Sequence, residues 1–129
     1  MNLEPIWVDQ TRVLIIHDRQ LAEHGGGSGV RDESLLASAL ARPRNLLAGS
    51  EESRTLYRLA AAYSSGISSD HPFIDGNQRT ALVVCYLFLA LNGIEIQAAR
   101  EDVYLTFLGL VEGRVSPDAL ARWCSEHGV

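Results

Sequence analysis

The fold of this chain is decided by one stretch, residues 77–91, which reads NQRTALVVCYLFLAL. From Ala81 onward every residue in it is apolar, so no face of the resulting helix is suited to water. Helices that are apolar all round lie in a protein core or in a membrane. The apolar run 81–91 is only about half as long as a membrane span, which needs roughly 20 residues. The stretch therefore predicts a buried core helix.

Periodic segments on both sides of this stretch predict the rest of the architecture. Asp32 is a good N-cap, and Pro117 suits the first position of a last helix. Pro43 is expected to end its helix, because a proline disfavours the helical conformation in the residue before it. The expected elements are an extended segment over 3–8, helices over about 9–23, 32–42, 53–68, 77–91, 100–112 and from Ser116 onward, and a short strand over 94–96. The sequence predicts an all-α, single-domain bundle over residues 1–129, with about six helices around a central apolar helix.

Composition indicates an ordinary globular protein. The 129 residues are 47% hydrophobic and 21% charged, which fits one domain. The formal net charge of −5, from 11 basic and 16 acidic residues, speaks against a nucleic-acid-binding protein. The N-terminus has neither the basic nor the apolar region of a signal peptide, and Cys85 and Cys124 do not suggest a disulfide framework. We expect a cytoplasmic protein, not bound to a membrane, with Cys85 as a buried thiol.

The residues suited to catalysis lie in the run HPFIDGNQRTA, residues 71–81, where the apolar helix begins. His71 is suited to take a proton from a hydroxyl, and Asp75 is a hard oxygen ligand of the kind that Mg²⁺ prefers. Gly76 lets the backbone approach a phosphate at the start of a helix, and Arg79 can bind phosphate oxygens in a bidentate manner. Each residue alone has a structural interpretation as part of a helix cap. Together, at this spacing, they indicate a phosphoryl or nucleotidyl transfer site.

This run resembles the signature of the Fic/Doc superfamily. In that signature a histidine, a phenylalanine, an acidic residue, Gly or Ala, Asn, Gly or Lys, and Arg follow one another at the same spacing. The Thr80-Ala81 pair that follows here is similar to the Doc, or death-on-curing, branch. So are the earlier stretches 17–18, 25–26, 29–32 and 39–43. The resemblance covers nearly the whole chain and implies an all-helical Fido fold.

The resemblance implies a role for each matching residue. His71 corresponds to the histidine that activates a target hydroxyl, Asp75 to the acidic Mg²⁺ ligand, and Arg79 to the arginine on the nucleotide phosphates. Gly76 and Asn77 correspond to the anion-binding turn. ATP and Mg²⁺ are the implied cofactors. Further residues expected to contact the nucleotide are Phe73, Gln78 and Thr80.

The resemblance leaves two reactions open. Members of the Fic branch transfer AMP from ATP to a protein hydroxyl. The Doc branch resembles a kinase that phosphorylates a threonine of translation elongation factor Tu. This chain has Gln78 where the Fic branch has Gly and the Doc branch has Lys, and Leu82 where the Fic branch has a second arginine. The bulk of Gln78 favours phosphorylation of a Ser or Thr in a target protein, and its lack of charge predicts slower transfer.

The Doc branch also implies a protein partner. In that branch an antitoxin, Phd, folds a C-terminal segment into a groove on the toxin, as disordered regulators commonly do. Self-restrained Fic proteins carry Ser or Thr, three residues, Glu and then Gly or Asn. In this chain Glu112-Gly113 matches the last two positions of that motif, but the first position is Leu108 and not Ser or Thr. We therefore expect a Phd-like antitoxin to regulate the chain. A binding module with weak catalysis, paired mainly with such a partner, is the alternative to both transferases.

Other motifs have structural interpretations. The pair His17-Asp18 resembles the central pair of metal phosphohydrolases, but no histidine precedes it to complete a ligand set. It is expected to tie the first helix to the core or to the loop that follows. The run Gly25–Gly29 lacks the Lys and the preceding strand of a phosphate loop and is expected to be a connector. His24 and His127 are expected to be exposed to solvent.

Overall fold

The structure, a computed structural model, describes residues 4–49 and 55–129. Within those residues the chain forms six α-helices: α1 (Gln10–His24), α2 (Glu33–Gly49), α3 (Leu56–Asp70), α4 (Asn77–Leu91), α5 (Arg100–Val111) and α6 (Pro117–His127). The β pairing in this part of the chain consists of two isolated antiparallel bridges, Val30 with Phe73 and Ile96 with Gly128. The predicted all-α class is confirmed, and the predicted strand over 94–96 is reduced to the bridge at Ile96. Residue 3 and the predicted start of α3 at residue 53 lie outside the described residues.

Helix α3, rather than α4, is the most enclosed of the described helices. Nine of its residues are buried, and most of them are Ala, Ser or Gly. These small side chains let the neighbouring helices approach closely. A Cβ at Gly66 would lie 3.0 Å from the carbonyl oxygen of Ala39 in α2. On the other side of α3, the Ser64 hydroxyl donates to the carbonyl of Ala81 in α4 at 2.8 Å.

Helix α4 belongs to the core along one face only. Val84, Cys85 and Phe88 on that face are fully buried against α3 and its neighbours. Leu82 and Tyr86 on the other face are only half-buried. The prediction of a core helix is confirmed for the first face. The second face is apolar because it lines a groove. A hydrophobicity pattern alone does not distinguish a helix face that lines a groove from one that is buried in the core.

The prediction that Pro43 ends its helix is wrong, because α2 continues through Pro43 to Gly49. A proline inside a helix leaves the carbonyl four residues earlier without its usual partner. Here that carbonyl belongs to Ala39 and faces Gly66 across a close helix contact. Leu36, Ala39 and Pro43 are all buried on one face, so packing against α3 keeps the two halves of α2 in one helix.

Polar side chains fix the helix ends, largely where the sequence predicts them. Asp32 accepts hydrogen bonds from the backbone N–H groups of Ser34 and Leu35 at 2.9 and 3.1 Å and so caps α2. The hydrogen bond from the Ser34 hydroxyl, followed by these backbone bonds, lowers the pKa of Asp32. Ser116 caps α6, with Pro117 at its first position. The predicted N-terminal signals at Asp32 and Pro117 are confirmed.

The two cysteines are free thiols, as expected. Cys85 and Cys124 are fully buried, with their sulfur atoms 3.8 Å apart. The hydrogen bond with Cys124 and complete burial raise the pKa of the Cys85 thiol, so it stays protonated. None of the helices in the described parts is long and apolar enough to cross a membrane.

Candidate active site

The run 71–76 joins the end of α3 to the start of α4, and both of its ends have left-handed backbone. His71 caps the C-terminus of α3 with φ 47° and ψ 58°. Gly76 precedes α4 with φ 78°, a conformation that suits glycine because it has no Cβ. Between them, the Asn77 side chain accepts from the N–H of Phe73 at 3.1 Å and donates to its carbonyl at 3.0 Å. Asn77 therefore closes the loop on itself.

Helix α1 holds the loop from behind through His17. This ring is 2% exposed and stacks on Phe73, with ring centroids 3.8 Å apart and planes 10° from parallel. Its Nε2 donates to the carbonyl of Asp75 at 2.8 Å. The prediction that His17 ties the first helix to the core is confirmed, and the loop that it contacts is the run 71–76, not the one that follows α1. Asp18 is exposed. Among the described residues, no group of three His, Cys, Asp or Glu side chains could hold a metal ion.

The glycine run that follows α1 lies against the loop. The backbone N–H of Ile74 donates to the carbonyl of Gly29 at 3.2 Å. Gly26 has φ 123°, a conformation that favours glycine, and a Cβ there would lie 2.8 Å from Asp75 Oδ2. The Asp75 carboxylate accepts from the N–H of Gly27 at 3.3 Å and from that of Gly76 at 2.9 Å. The run Gly25–Gly29 is thus a connector, as expected, and it also fixes the Asp75 side chain.

A groove of about 790 Å³ opens in front of the loop. A cavity of this volume is in the range of small-molecule and cofactor sites. One end is polar and one is apolar. The polar end is lined by His71, Ile74, Asp75, Gly76, Asn77, Gln78 and Arg79 of the loop and α4, with Gln20 and His24 of α1. The other end is lined by Leu82 and Tyr86 of α4, by Ile96, Ala98, and by Arg100, Val103, Tyr104 and Phe107 of α5.

The polar end is suited to anions. No side chain caps the N-terminus of α4, and its first turn contains no acidic residue. The first N–H groups of a helix have no partner inside the helix and carry positive potential. Arg79 is exposed in that first turn and forms no ion pair with any residue that the structure describes. A phosphate group would find both backbone donors and a guanidinium here.

Of the predicted site residues, six line this groove together: His71, Asp75, Gly76, Asn77, Gln78 and Arg79. Phe73 and Thr80 do not. Phe73 is 1% exposed behind the loop, and Thr80 is fully buried with an unpaired hydroxyl. A direct side-chain contact of Phe73 or Thr80 with a nucleotide stays a prediction that this geometry does not support.

Asp75 fits a Mg²⁺ ion that arrives with a nucleotide. A resident metal needs a cluster of ligands, and the described residues contain none. Magnesium commonly binds through one or two carboxylates together with substrate phosphates and waters. Asp75 is the only carboxylate among the described residues that line the groove. It is exposed and is held by two backbone amides beside the anion-binding turn.

The far wall of the groove was not predicted from the sequence. Tyr86 belongs to α4, whereas Arg100 and Tyr104 belong to α5, and no motif joins them to the loop. Burial raises the pKa of Tyr86 to about 12, so its hydroxyl remains a hydrogen-bond donor in the groove. His24 is exposed as expected but also lines the groove. His127 is only partly exposed, since it contacts Asp102 and the carbonyl of Trp123, and the expectation of exposure is wrong for it.

The fold and groove define a class: a small helical domain with an exposed histidine beside an uncapped helix N-terminus. The model of the Fic/DOC family matches residues 7–89, and the chain belongs to that family.

Two curated relatives are similar to this chain. Toxin Doc of Mycolicibacterium smegmatis is 38% identical over 74 residues, which are 57% of each chain. Protein kinase doc of Escherichia phage P1 is 29% identical over 114 residues, 88% of this chain and 89% of the phage protein. The first match thus spans little more than half of the mycobacterial protein, and the second spans most of the phage protein.

Proposed function

We propose that this protein transfers the γ-phosphate of ATP to a Ser or Thr hydroxyl of a target protein and acts as a Doc-like toxin. The observation that carries the proposal is the exposed His71 beside the uncapped N-terminus of α4, with Asp75 and Arg79 in the same groove. The phage relative that is named a protein kinase supports this class of reaction. Elongation factor Tu is the proposed target, and a halt in translation is the proposed consequence.

The residues divide the reaction between them. His71 takes the proton of the target hydroxyl, whose oxygen then attacks the γ-phosphorus. The bond from that phosphorus to the bridging oxygen breaks, and ADP leaves with the bonding electrons. Arg79 and the N–H groups of α4 stabilise the negative charge on the phosphates. Asp75 would hold Mg²⁺, which neutralises phosphate charge when it is bound with the nucleotide.

Gln78 is the residue that favours phosphate over AMP transfer. It is half-buried and lines the groove in the first turn of α4. Its side chain occupies space that a glycine would leave open along the anion-binding turn. Leu82, one turn later, puts an apolar side chain in the groove where AMP-transferring relatives have a second arginine. Both residues disfavour the AMP-transferring pose of ATP.

Replacing Gln78 with lysine is expected to speed phosphate transfer by up to about a hundredfold, because a cation would be added next to the transferring phosphate. The measurement is the initial rate of γ-label transfer from ATP to lysate proteins. Gln97→Lys is the matched control, since Gln97 is exposed and lies outside the groove residues. A rate in Gln78→Lys that is no higher than in the control would show that a positive charge at position 78 does not speed transfer.

A Phd-like antitoxin is the proposed regulator. Helix α4 leaves the apolar side chains of Val83 and Leu87 half-exposed, and Tyr104 and Leu105 of α5 are 57% and 52% exposed. Apolar surface of this kind beside a functional groove is typical of protein interaction sites. A bacterial host that grows normally when the chain is expressed without a partner would contradict this pairing.

The proposal is tested by binding and transfer measured on the same protein. Calorimetry should detect Mg²⁺-ATP binding, and γ-labelled ATP should label a protein in a bacterial lysate. Binding without any transfer would favour the alternative, a binding module that pairs mainly with its partner. No binding and no transfer would contradict both the kinase and the AMP transferase.

A further inference from the structure

His71 has a backbone conformation that is uncommon for residues other than glycine. Among the described residues it is the only one other than glycine with a positive φ, at 47°. The left-handed region is unfavourable for residues with a Cβ, and such a residue persists only where its surroundings hold it. The direction of the imidazole depends on this backbone conformation, since φ and ψ set where the Cβ points. Whatever holds the His71 backbone therefore also aims the proposed base.

The N–H of His71 donates to the carbonyl of Ile67 at 3.2 Å as the cap of α3, and Arg31 makes the side-chain contacts that hold the carbonyl side of His71. Its Nε donates to the carbonyl of His71 at 2.7 Å, and its Nη2 donates to the carbonyl of Asp70 at 2.8 Å. The backbone N–H groups of Arg31 and Asp32 both donate to the carbonyl of Pro72, at 2.7 and 3.2 Å. Three successive carbonyls, from residue 70 to residue 72, are thus bound from the segment before α2.

We propose that Arg31 is a positioning residue that holds His71 in the left-handed conformation and so aims its imidazole into the groove. A guanidinium presents two N–H donors in one rigid plane, which matches two neighbouring carbonyls, whereas a lysine offers a single ammonium. Its charge also suits the C-terminal end of α3, where the helix carries negative potential. The kinetic consequence of this proposal rests on the proposed function, but its structural content does not.

Arg31 acts on His71 without contacting the nucleotide site. It is not among the residues that line the groove, and its guanidinium is bound to backbone carbonyls behind the loop. Its loss should therefore lower the maximal rate of transfer and leave the concentration of ATP that gives half of that rate unchanged. A general loosening of the anion-binding turn would change both.

The matched control is Arg42, which contacts the same stretch differently. Its Nη2 forms an ion pair with the Asp70 carboxylate at 2.8 Å, and among the described residues no hydrogen bond or ion pair joins Arg42 to His71. Arg31→Ala is expected to lower the maximal rate of γ-phosphate transfer to lysate proteins about tenfold, whereas Arg42→Ala keeps it. Free guanidinium, well below denaturing concentrations, should restore part of the rate to Arg31→Ala only. Arg31→Lys, which keeps the charge and one donor, should lie between the wild type and Arg31→Ala.

Backbone ¹³C shifts of His71 in the nucleotide-free protein test the positioning role of Arg31 independently of activity. They should leave the left-handed range in Arg31→Ala and stay there in Arg42→Ala. Unchanged shifts, an equal loss of rate in both variants, or a raised half-saturating ATP concentration in Arg31→Ala would overturn the proposal. If Arg31→Ala does not fold, Arg31→Lys carries the same measurements. If the shifts change in Arg31→Ala but the wild type transfers no phosphate, the positioning role of Arg31 is supported and the proposed function is contradicted.

Discussion

Replacing His71 with alanine is expected to abolish phosphate transfer, with a loss of about a hundredfold to ten-thousandfold, because general base catalysis contributes that much. The side chain is exposed at the end of α3, so its removal leaves no cavity in the core. The fold should therefore be retained, which circular dichroism and thermal unfolding can check. Transfer is measured with γ-labelled ATP and lysate proteins.

His24 is the matched control for this experiment. It is the other histidine that lines the groove, and it lies at the end of α1. His24→Ala should retain most of the activity, because the loop geometry assigns the proton transfer to His71. Full activity in a folded His71→Ala variant would remove His71 from the mechanism. Loss of activity in His24→Ala alone would place the base on α1 instead.

Replacing Asp75 with alanine is expected to weaken binding of Mg²⁺-ATP at least about tenfold, or roughly 1.4 kcal/mol. The change removes the carboxylate that lies beside the anion-binding turn and that is suited to Mg²⁺. Calorimetry with and without Mg²⁺ measures the effect. The affinity of the wild type should depend strongly on the metal, and that of the variant should not.

Asp75 also accepts hydrogen bonds from two loop amides, so a second variant is needed. Asp75→Asn keeps an acceptor oxygen for these amides and removes only the charge. If the carboxylate holds the metal, both variants should lose the dependence on Mg²⁺. Wild-type affinity and metal dependence in Asp75→Asn would show that Asp75 acts only by holding the loop.

The sequence predicts best what local signals determine. Asp32 and Pro117 mark helix starts because capping depends on residues within one turn. The residues of the run 71–81 come together in the groove largely because a loop that leads into a helix places its own members side by side. The partners of His17, Phe73 and Asp75, lie far along the chain, so the sequence could assign His17 only to the core or to the loop after the first helix.

The sequence fails where distant elements decide. Pro43 is an ordinary signal for the end of a helix, but the contact of Ala39 in α2 with Gly66 in α3 overrides it. A contact between two helices is not visible in the local sequence. The apolar character of α4 predicts burial, yet part of its surface lines the groove. The burial of α3 follows from its small side chains, which a hydrophobicity pattern undervalues. Arg31 has no local signal at all, because its role depends on carbonyls about forty residues away.

The central claim, that this groove directs phosphate and not AMP to a protein hydroxyl, is tested most directly with two labels. Parallel reactions contain ATP labelled at the α-phosphate or at the γ-phosphate, a bacterial lysate, and either the wild type or His71→Ala. Label from the γ position should appear on a target protein with the wild type only, and none should appear from the α position. Label from the α position and none from the γ position would contradict the account and make AMP transfer the reaction of this protein.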